Sequence, residues 1–270
     1  MRREGTARLL SSAVIARVAI APLVGEPRVR AEQVSQLVLG ETGEVLDQSG
    51  DWRRIRHHLD GYEGWVHGGY VEEVSLEAAG RWRERSAGWS LGGTLRVGSD
   101  TLPLPLRARV VVEGEAVHLP DGRSGRLVAG AIPSVDEVRR SARTRAPERW
   151  AAECFGGAPY LWGGVTPWGV DCSGLVQTTF AARGLALPRN TSQQVEQGAA
   201  VPLEASRPGD LLFFRGDGGG ITHVAFAGEA DTLIHATIAR GGMVQESWLP
   251  GTRAAALRER IVAVRRLEQR

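Results

Sequence analysis

The 270-residue sequence predicts an α+β fold, with two small β-rich domains ahead of a larger domain of mixed helix and strand. Three observations predict it. Short strand-like pieces separated by glycine and aspartate turns fill the first part of the chain. A helix-period stretch opens at Asp171-Cys172, and two alternating segments within residues 221–236 flank a glycine-containing turn. A chain of this length is expected to hold two or three compact domains with real cores. Apolar residues make up 42% and charged residues 24%, which is an ordinary globular balance rather than a disordered one. The 33 basic residues are all arginine, yet the net charge is only +2, which argues against a nucleic-acid protein. A bias spread over the whole chain marks no site.

At the N-terminus, Met1-Arg2-Arg3 mimics the charged start of an export signal, but Glu4, Arg8 and Arg17 interrupt any apolar run. Residues 14–21 alternate like a strand instead. No stretch approaches the ~18 apolar residues of a membrane span, so the expected location is the cytoplasm. Strand-like pieces then recur at 34–39, 44–46, 52–55, 64–66 and 70–74. Gly40, Gly43, Gly50-Asp51 and Asp60-Gly61 divide them, and the pattern predicts a small β barrel. A second barrel is expected from Trp82 to about Ile132. Residues 134–154, containing Val135, Val138, Ala142, Trp150 and Ala151, read as helical, with Arg139, Arg140 and Arg143 as their solvated face. The expected domains are 1–76, 77–134 and 135–270.

The helix beginning at Cys172 repeats Leu175 and Val176 as Thr179 and Phe180 one turn later, so one face can pack inward. Gly184 and Pro188 are its stop signals. Cys172 falls in the first turn, where free N–H groups and the helix dipole favour an anion, lower a thiol pKa and raise its nucleophilicity. The alternative is a small buried structural cysteine. With Cys154 as the other cysteine, two are too few for a disulfide framework. Cys154 reads as structural, and a Cys154–Cys172 bond would block the nucleophile.

In the hairpin, a turn centred on Glu229 sets His223 directly opposite His235, with Cβ atoms roughly 4.5–5.5 Å apart. One imidazole can then take a thiol proton while the other orients it. The alternatives are two surface histidines or half a metal site. No further Cys or His stands at metal-like spacing, so no metal is expected, and acyl transfer through a thiol and an imidazole needs no cofactor.

Tyr160-Leu161-Trp162-Gly163-Gly164, Asp171-Cys172-Ser173-Gly174, Leu187-Pro188-Arg189, residues 208–214 (Pro-Gly-Asp-Leu-Leu-Phe-Phe) and Thr222-His223-Val224 occur in the order of the NlpC-type cysteine peptidases. The chain resembles that family over roughly 135–270. The resemblance implies a papain-like catalytic domain that cuts bacterial peptidoglycan peptides. It implies Cys172 as nucleophile, His223 as general base, His235 as the orienting third member and Tyr160 as a hydroxyl donor near the oxyanion.

Gln36–Glu41, Asp51-Trp52 and residues 60–66 resemble bacterial SH3-like domains, and residues 102–106 and 119–123 recur in related enzymes. Two SH3-like barrels ahead of an NlpC-type domain look like the γ-D-glutamyl-L-diamino acid endopeptidases of muropeptide recycling. By that resemblance Glu32 faces the free amine of an N-terminal L-alanine and Tyr62 lines the pocket. Asp171, Ser173, Thr191 and Thr222 join the substrate-binding set, Ser173 and Thr191 holding the D-glutamate α-carboxylate. Asn190 departs from the family, which usually carries Asp there. Asn keeps an acceptor but loses the charge-assisted bond to the amine, so amine selectivity is expected to weaken or to rest on Glu32. The expected partner is a peptidoglycan-derived peptide, with neither nucleic acid nor membrane. An exported wall hydrolase, an amidase or acyltransferase on the same triad, and a non-catalytic wall-binding protein remain the alternatives.

Overall fold

The computed structural model describes residues 12–267. Residues 1–11, with the reading of Met1-Arg2-Arg3 and the start of the first expected domain, lie outside them. The chain packs into two compact units, 1–138 and 139–270.

The first unit opens with β1 (Ser12–Ala16), β2 (Ile20–Val24), β3 (Gln33–Val38), β4 (Thr42–Ser49), β5 (Trp52–His57), β6 (Glu63–His67) and β7 (Val71–Ser75). They form one antiparallel sheet in the order β3-β2-β6-β5-β4-β1-β7. Each strand sends alternate side chains to one shared core: Val14, Leu23, Leu37, Val45, Ile55, Val66 and Val71. One core served by one face of seven strands requires the sheet to curl around it.

Residues 14–21 are two strands and not one. The break at Arg17–Ala19 hands the chain from the partners of β1, which are β4 and β7, to those of β2, which are β3 and β6. Gly40 N–H bonds the Ala16 carbonyl at 2.8 Å and Leu39 N–H the Ala19 carbonyl at 3.1 Å, which holds the step. Apolar alternation continues across the break, so the pattern alone could not show it.

Helix α1 (Leu76–Arg85) is capped by Ser75, whose Oγ accepts from Ala78 N–H at 3.1 Å. After it, β8 (Gly88–Val97), β9 (Asp100–Glu113), β10 (Ala116–His118) and β11 (Ser124–Gly130) close a barrel in the order β10-β11-β8-β9.

A buried charge cluster lies within this first unit. Arg107 Nε stands 2.7 Å from Glu41 Oε1, and Val38 N–H donates to Glu41 Oε2 at 2.9 Å. His57 sits between Glu41 (3.4 Å) and Asp60 (3.3 Å). Burial pushes the Glu41 carboxyl up, but Arg107 and His57 outweigh it and hold it at about 2. Burial pushes His57 down, but Asp60 and Glu41 outweigh it and hold it at about 9.

Glu41 therefore contributes stability that is present above its ordinary 4.5 and lost as pH falls through about 2. His57 contributes stability present below its ordinary 6.5 and lost as pH rises through about 9. The unfolding temperature of this unit, followed by calorimetry, is expected to fall from pH 6.5 to 9. His57→Gln should flatten that slope; an unchanged slope in the variant would assign the titration to another group.

Helix α2 (Val135–Arg143) opens on a reciprocal cap: Glu137 N–H donates to Ser134 Oγ, and Ser134 N–H donates to Glu137 Oε2 at 2.7 Å. In the second unit α3 (Pro147–Phe155) starts on its proline. The short pair β12 (Val165–Thr166) and β13 (Gly169–Val170) leads into α4 (Cys172–Ala182), and α5 (Thr191–Gln194) follows. The remaining strands are β14 (Ala199–Ala200), β15 (Leu211–Arg215), β16 (Ile221–Ala227), β17 (Thr232–Thr237), β18 (Gly242–Ser247) and β19 (Ile261–Arg266). They make an antiparallel sheet in the order β14-β19-β15-β16-β17-β18.

The helix α4 is not one-sided as the periodicity implied: ten of its eleven residues are buried. Its polar side chains are satisfied internally, Gln177 Nε2 on the Leu187 carbonyl (3.0 Å) and Thr178 Oγ1 on the Val165 carbonyl (2.8 Å). Phe180 meets Phe226 of β16 with ring centres 6.0 Å apart. Leu212, Phe214, Ala225 and Leu233 instead join Trp248 and Ala254 in a separate cluster. Strands covered on both faces explain the unbroken apolar run 211–214. Among the described residues no helix is long and apolar enough to cross a membrane.

Candidate active site

The position of Cys172 follows from its neighbours on the chain. Asp171 is the N-cap of α4: its Oδ1 accepts from Gly174 N–H at 2.7 Å and its Oδ2 from Gly163 N–H at 2.8 Å. Arg189 clamps the same carboxylate through both nitrogens, at 3.1 and 2.6 Å, and also donates to Ser173 Oγ at 2.7 Å. Asp171 is 4% exposed and Arg189 2% exposed, so this is a buried, bidentate pair. Gly174 packs backbone to backbone on Gly164: a Cβ at Gly174 would lie 2.1 Å from the Gly164 carbonyl. The two glycine motifs of the sequence are thus one contact that seats the start of α4.

The two histidines meet, but not in the expected register. Phe226 pairs with Ile234 and Ala227 with Leu233, which centres the turn on Ala230 rather than Glu229. Ala230 and Asp231 both take the left-handed conformation, with φ of 51° and 56°. That tight turn moves the register by two residues, and His223 and His235 become diagonal neighbours on the same face. Pairing between β16 and β17 is confined to those two rungs, and His223 Nε2 reaches His235 Nδ1 at 2.7 Å. The other nitrogen of His235 is buried, with Glu246 Oε2 at 3.7 Å. Glu246 also holds Arg240 and Arg253.

Burial dominates the electrostatics. It pushes the Cys172 thiol up to about 11, with Asp171 adding to the rise, against opposing contributions from the Val224 N–H, Thr191 and Arg189. This corrects the expectation of a lowered thiol: the residue is 5% exposed, and desolvation next to a carboxylate outweighs a helix terminus. His223 is held down at about 4 by burial and then Arg253, and His235 at about 3 by burial, His223 and Arg253. The resting pair is a neutral thiol and a neutral imidazole. In a Cys154→Ser background, no thiolate ultraviolet absorbance is expected at neutral pH, and alkylation by iodoacetamide should accelerate as pH rises towards 11. A thiolate signal that is constant across the neutral range would mean a standing ion pair instead.

Thr191 Oγ1 stands 4.0 Å from Cys172 Sγ at the start of α5, and Asn190 caps that helix without a side-chain bond. Tyr160 is half-buried; burial, Cys172 and Asp171 raise its hydroxyl to about 12, so it remains a neutral donor within electrostatic reach of the sulfur. Ser173 is engaged by Arg189 and donates to Asp171 at 3.2 Å, and Thr222 is exposed on β16. Glu32 and Tyr62 belong to the first unit, Glu32 exposed before β3 and Tyr62 half-buried before β6. Cys154 and Cys172 are both free thiols. Sequence reasoning missed the roles of Arg189 and Glu246. Arg189 was visible only as part of a motif, and Glu246 lies on a strand with no motif of its own.

Comparison with known proteins places residues 157–264 in a match to the NlpC/P60 family and residues 23–68 in a match to the bacterial dipeptidyl-peptidase Sh3 domain. A gamma-D-glutamyl-L-lysine dipeptidyl-peptidase of Bacillus cereus is 26% identical over 233 residues, covering 74% of this chain and 66% of that protein. The Bacillus subtilis protein of the same name is 41% identical over 83 residues, 30% of this chain and 28% of its own length. The chain spans less than two thirds of the length of these relatives. The crystal structure of an NlpC/P60 family protein from Bacillus cereus superposes with a TM-score of 0.76 at 21% identity, covering 94% of this chain and 99% of that one, a likeness of fold.

Proposed function

With an NlpC/P60 domain at residues 157–264 and a bacterial dipeptidyl-peptidase SH3 domain at 23–68 as its premise, we propose that the chain is a cysteine endopeptidase. It hydrolyses the γ-D-glutamyl–diamino acid bond of released peptidoglycan peptides that carry a free N-terminal L-alanine. The observation that carries this reading is the 2.7 Å contact between His223 and His235, in a sheet whose Val224 N–H faces the sulfur of Cys172. That is a nucleophile, a base and an orienter in one place.

Because Nε2 of His223 faces His235, the base is Nδ1. It takes the thiol proton as the sulfur attacks the γ-carbonyl carbon, so the ion pair forms with the reaction rather than before it. Tyr160 and backbone N–H groups stabilise the oxyanion. The imidazolium returns its proton to the leaving amine as the C–N bond breaks. Water, activated by His223, then cleaves the thioester.

With Nδ1 as base, His223 Nε2–H donates to His235 Nδ1, and His235 carries its own proton on Nε2, towards Glu246. Glu246 is therefore a positioning residue for the tautomer of His235. Glu246→Gln should lower kcat about tenfold with KM unchanged, the scale of losing a carboxylate charge 3.7 Å from His235 Nε2. It should also move the acid limb of the pH profile to lower pH, since Arg253 then faces the imidazoles without its carboxylate. An unmoved acid limb would reduce Glu246 to packing.

The reading is tested by mass-spectrometric cleavage of L-Ala-γ-D-Glu-diaminopimelate, its L-lysine counterpart, and N-acylated forms of both. Cleavage of a free-amine peptide at the γ-D-Glu bond supports it, and the preferred third residue sets the substrate. Equal cleavage of the acylated forms would make the enzyme a broader wall hydrolase. No cleavage of any would redirect the triad to a different acyl substrate.

A further inference from the structure

The first unit holds a cavity of about 240 Å³ whose lining includes Glu41, His57, His58, Arg83, Trp89 and Arg109. Its charges do not balance. Glu41 and His57, which line it, belong to the buried cluster in which Glu41 and Asp60 are matched by Arg107 and His57. Arg83 and Arg109 are then left over, and neither is paired with a carboxylate among the described residues.

Arg109 is part-buried and fixed in place. Its Nε and Nη2 donate to the Ser86 carbonyl at 3.0 and 2.7 Å, and its guanidinium lies over the Trp89 ring, 5.8 Å from its centre. Burial lowers its pKa and outweighs the opposing pull of the Glu41 carboxylate, the mark of a cation short of water. Trp89 itself is buried, and its Nε1–H has no partner.

Arg83 Nη1 approaches His58 Nδ1 at 3.0 Å, and Thr42 Oγ1 lies 2.8 Å from the same nitrogen. The same Nη1 lies 3.4 Å from His58 Nε2, and burial, Arg83 and His57 push the imidazole pKa down, so His58 is neutral. Two guanidinium groups thus border one cavity whose lining carboxylate, Glu41, is already held by Arg107 and His57, and Trp89 and Leu59 supply an apolar wall. A part-buried Arg109 and a neighbouring Arg83, with the one lining carboxylate already matched, leave an excess of cation that favours an oxyanion, which matches their planar donors.

We propose that this cavity is a binding site for a small oxyanion, a carboxylate or a phosphate, held by Arg83 and Arg109. It belongs to the first unit and uses none of the residues assigned to peptide cleavage.

The test is isothermal titration of the full chain with two probes, inorganic phosphate and hippurate, the second carrying a carboxylate on an apolar body. One-site saturation by either probe is expected, weakening as salt is raised. Arg83→Ala, at an exposed helix position where folding is not at risk, should weaken it at least about tenfold. Arg109→Lys, which keeps the charge but loses the fork, should weaken it too. Saturation by phosphate alone, hippurate alone or both identifies the source of the anion. Absence of saturable binding by both probes would overturn the proposal, as would binding that both variants leave unchanged.

Discussion

Replacing Cys172 with alanine is expected to abolish peptide cleavage, a loss on the order of a million-fold if the triad acts as one unit. The effect is confined to chemistry. The side chain is small and buried at the start of α4, and its helix is seated by Asp171, Arg189 and the Gly164–Gly174 contact rather than by the sulfur. The variant should keep its unfolding temperature and still bind peptide, read by calorimetry and titration beside the cleavage assay. His223→Ala should be comparably inactive, whereas His235→Ala should retain a residue of activity, because it orients the base without touching the sulfur. Cleavage by Cys172→Ala at the parent rate would remove the nucleophile assignment.

Arg189→Ala should be the most damaging single change to stability in the second unit. It strips a buried carboxylate of its bidentate partner, and breaking such a pair typically costs about 3–5 kcal/mol. At about 2–4 °C per kcal/mol for domains of this size, the unfolding temperature should fall by roughly 6–20 °C. Asp171 would stay buried at 4% exposure with two backbone N–H bonds remaining. Arg189→Lys keeps the charge without the fork and should recover part of the loss. Differential scanning calorimetry reads both variants. A fall of under about 2 °C in Arg189→Ala would mean that the carboxylate finds water or other donors without disturbing α4.

Local signals were legible where one residue type answers one local demand. The strands of the first unit stand within a few residues of their expected places because glycine and aspartate turns punctuate them. The start of α4 could be read because Asp171 is both cap and motif. What depended on partners distant in the chain was hidden. Leu175 and Val176 suggested one buried face, yet α4 is enclosed all round, and its Gln and Thr side chains bond to loops whose approach no periodicity records. The hairpin was foreseen with its turn one residue early, since nothing in Gly228-Glu229-Ala230-Asp231 shows that Ala and Asp take left-handed conformations. His223 and His235 meet all the same, because a shift of two residues preserves the face. The raised thiol pKa is hidden from the sequence for a related reason: a helix terminus is local, whereas burial depends on everything packed around it.

A sulfur that is protonated at rest has a consequence outside turnover. Peroxide and other oxidants attack thiolates, and the first step towards sulfenic and sulfinic acid follows thiolate fraction and access. Cys172 offers little of either until a substrate carbonyl draws its proton onto His223. An idle enzyme should therefore outlast oxidative stress that inactivates peptidases built on a standing thiolate, and it should need no reducing partner to stay ready.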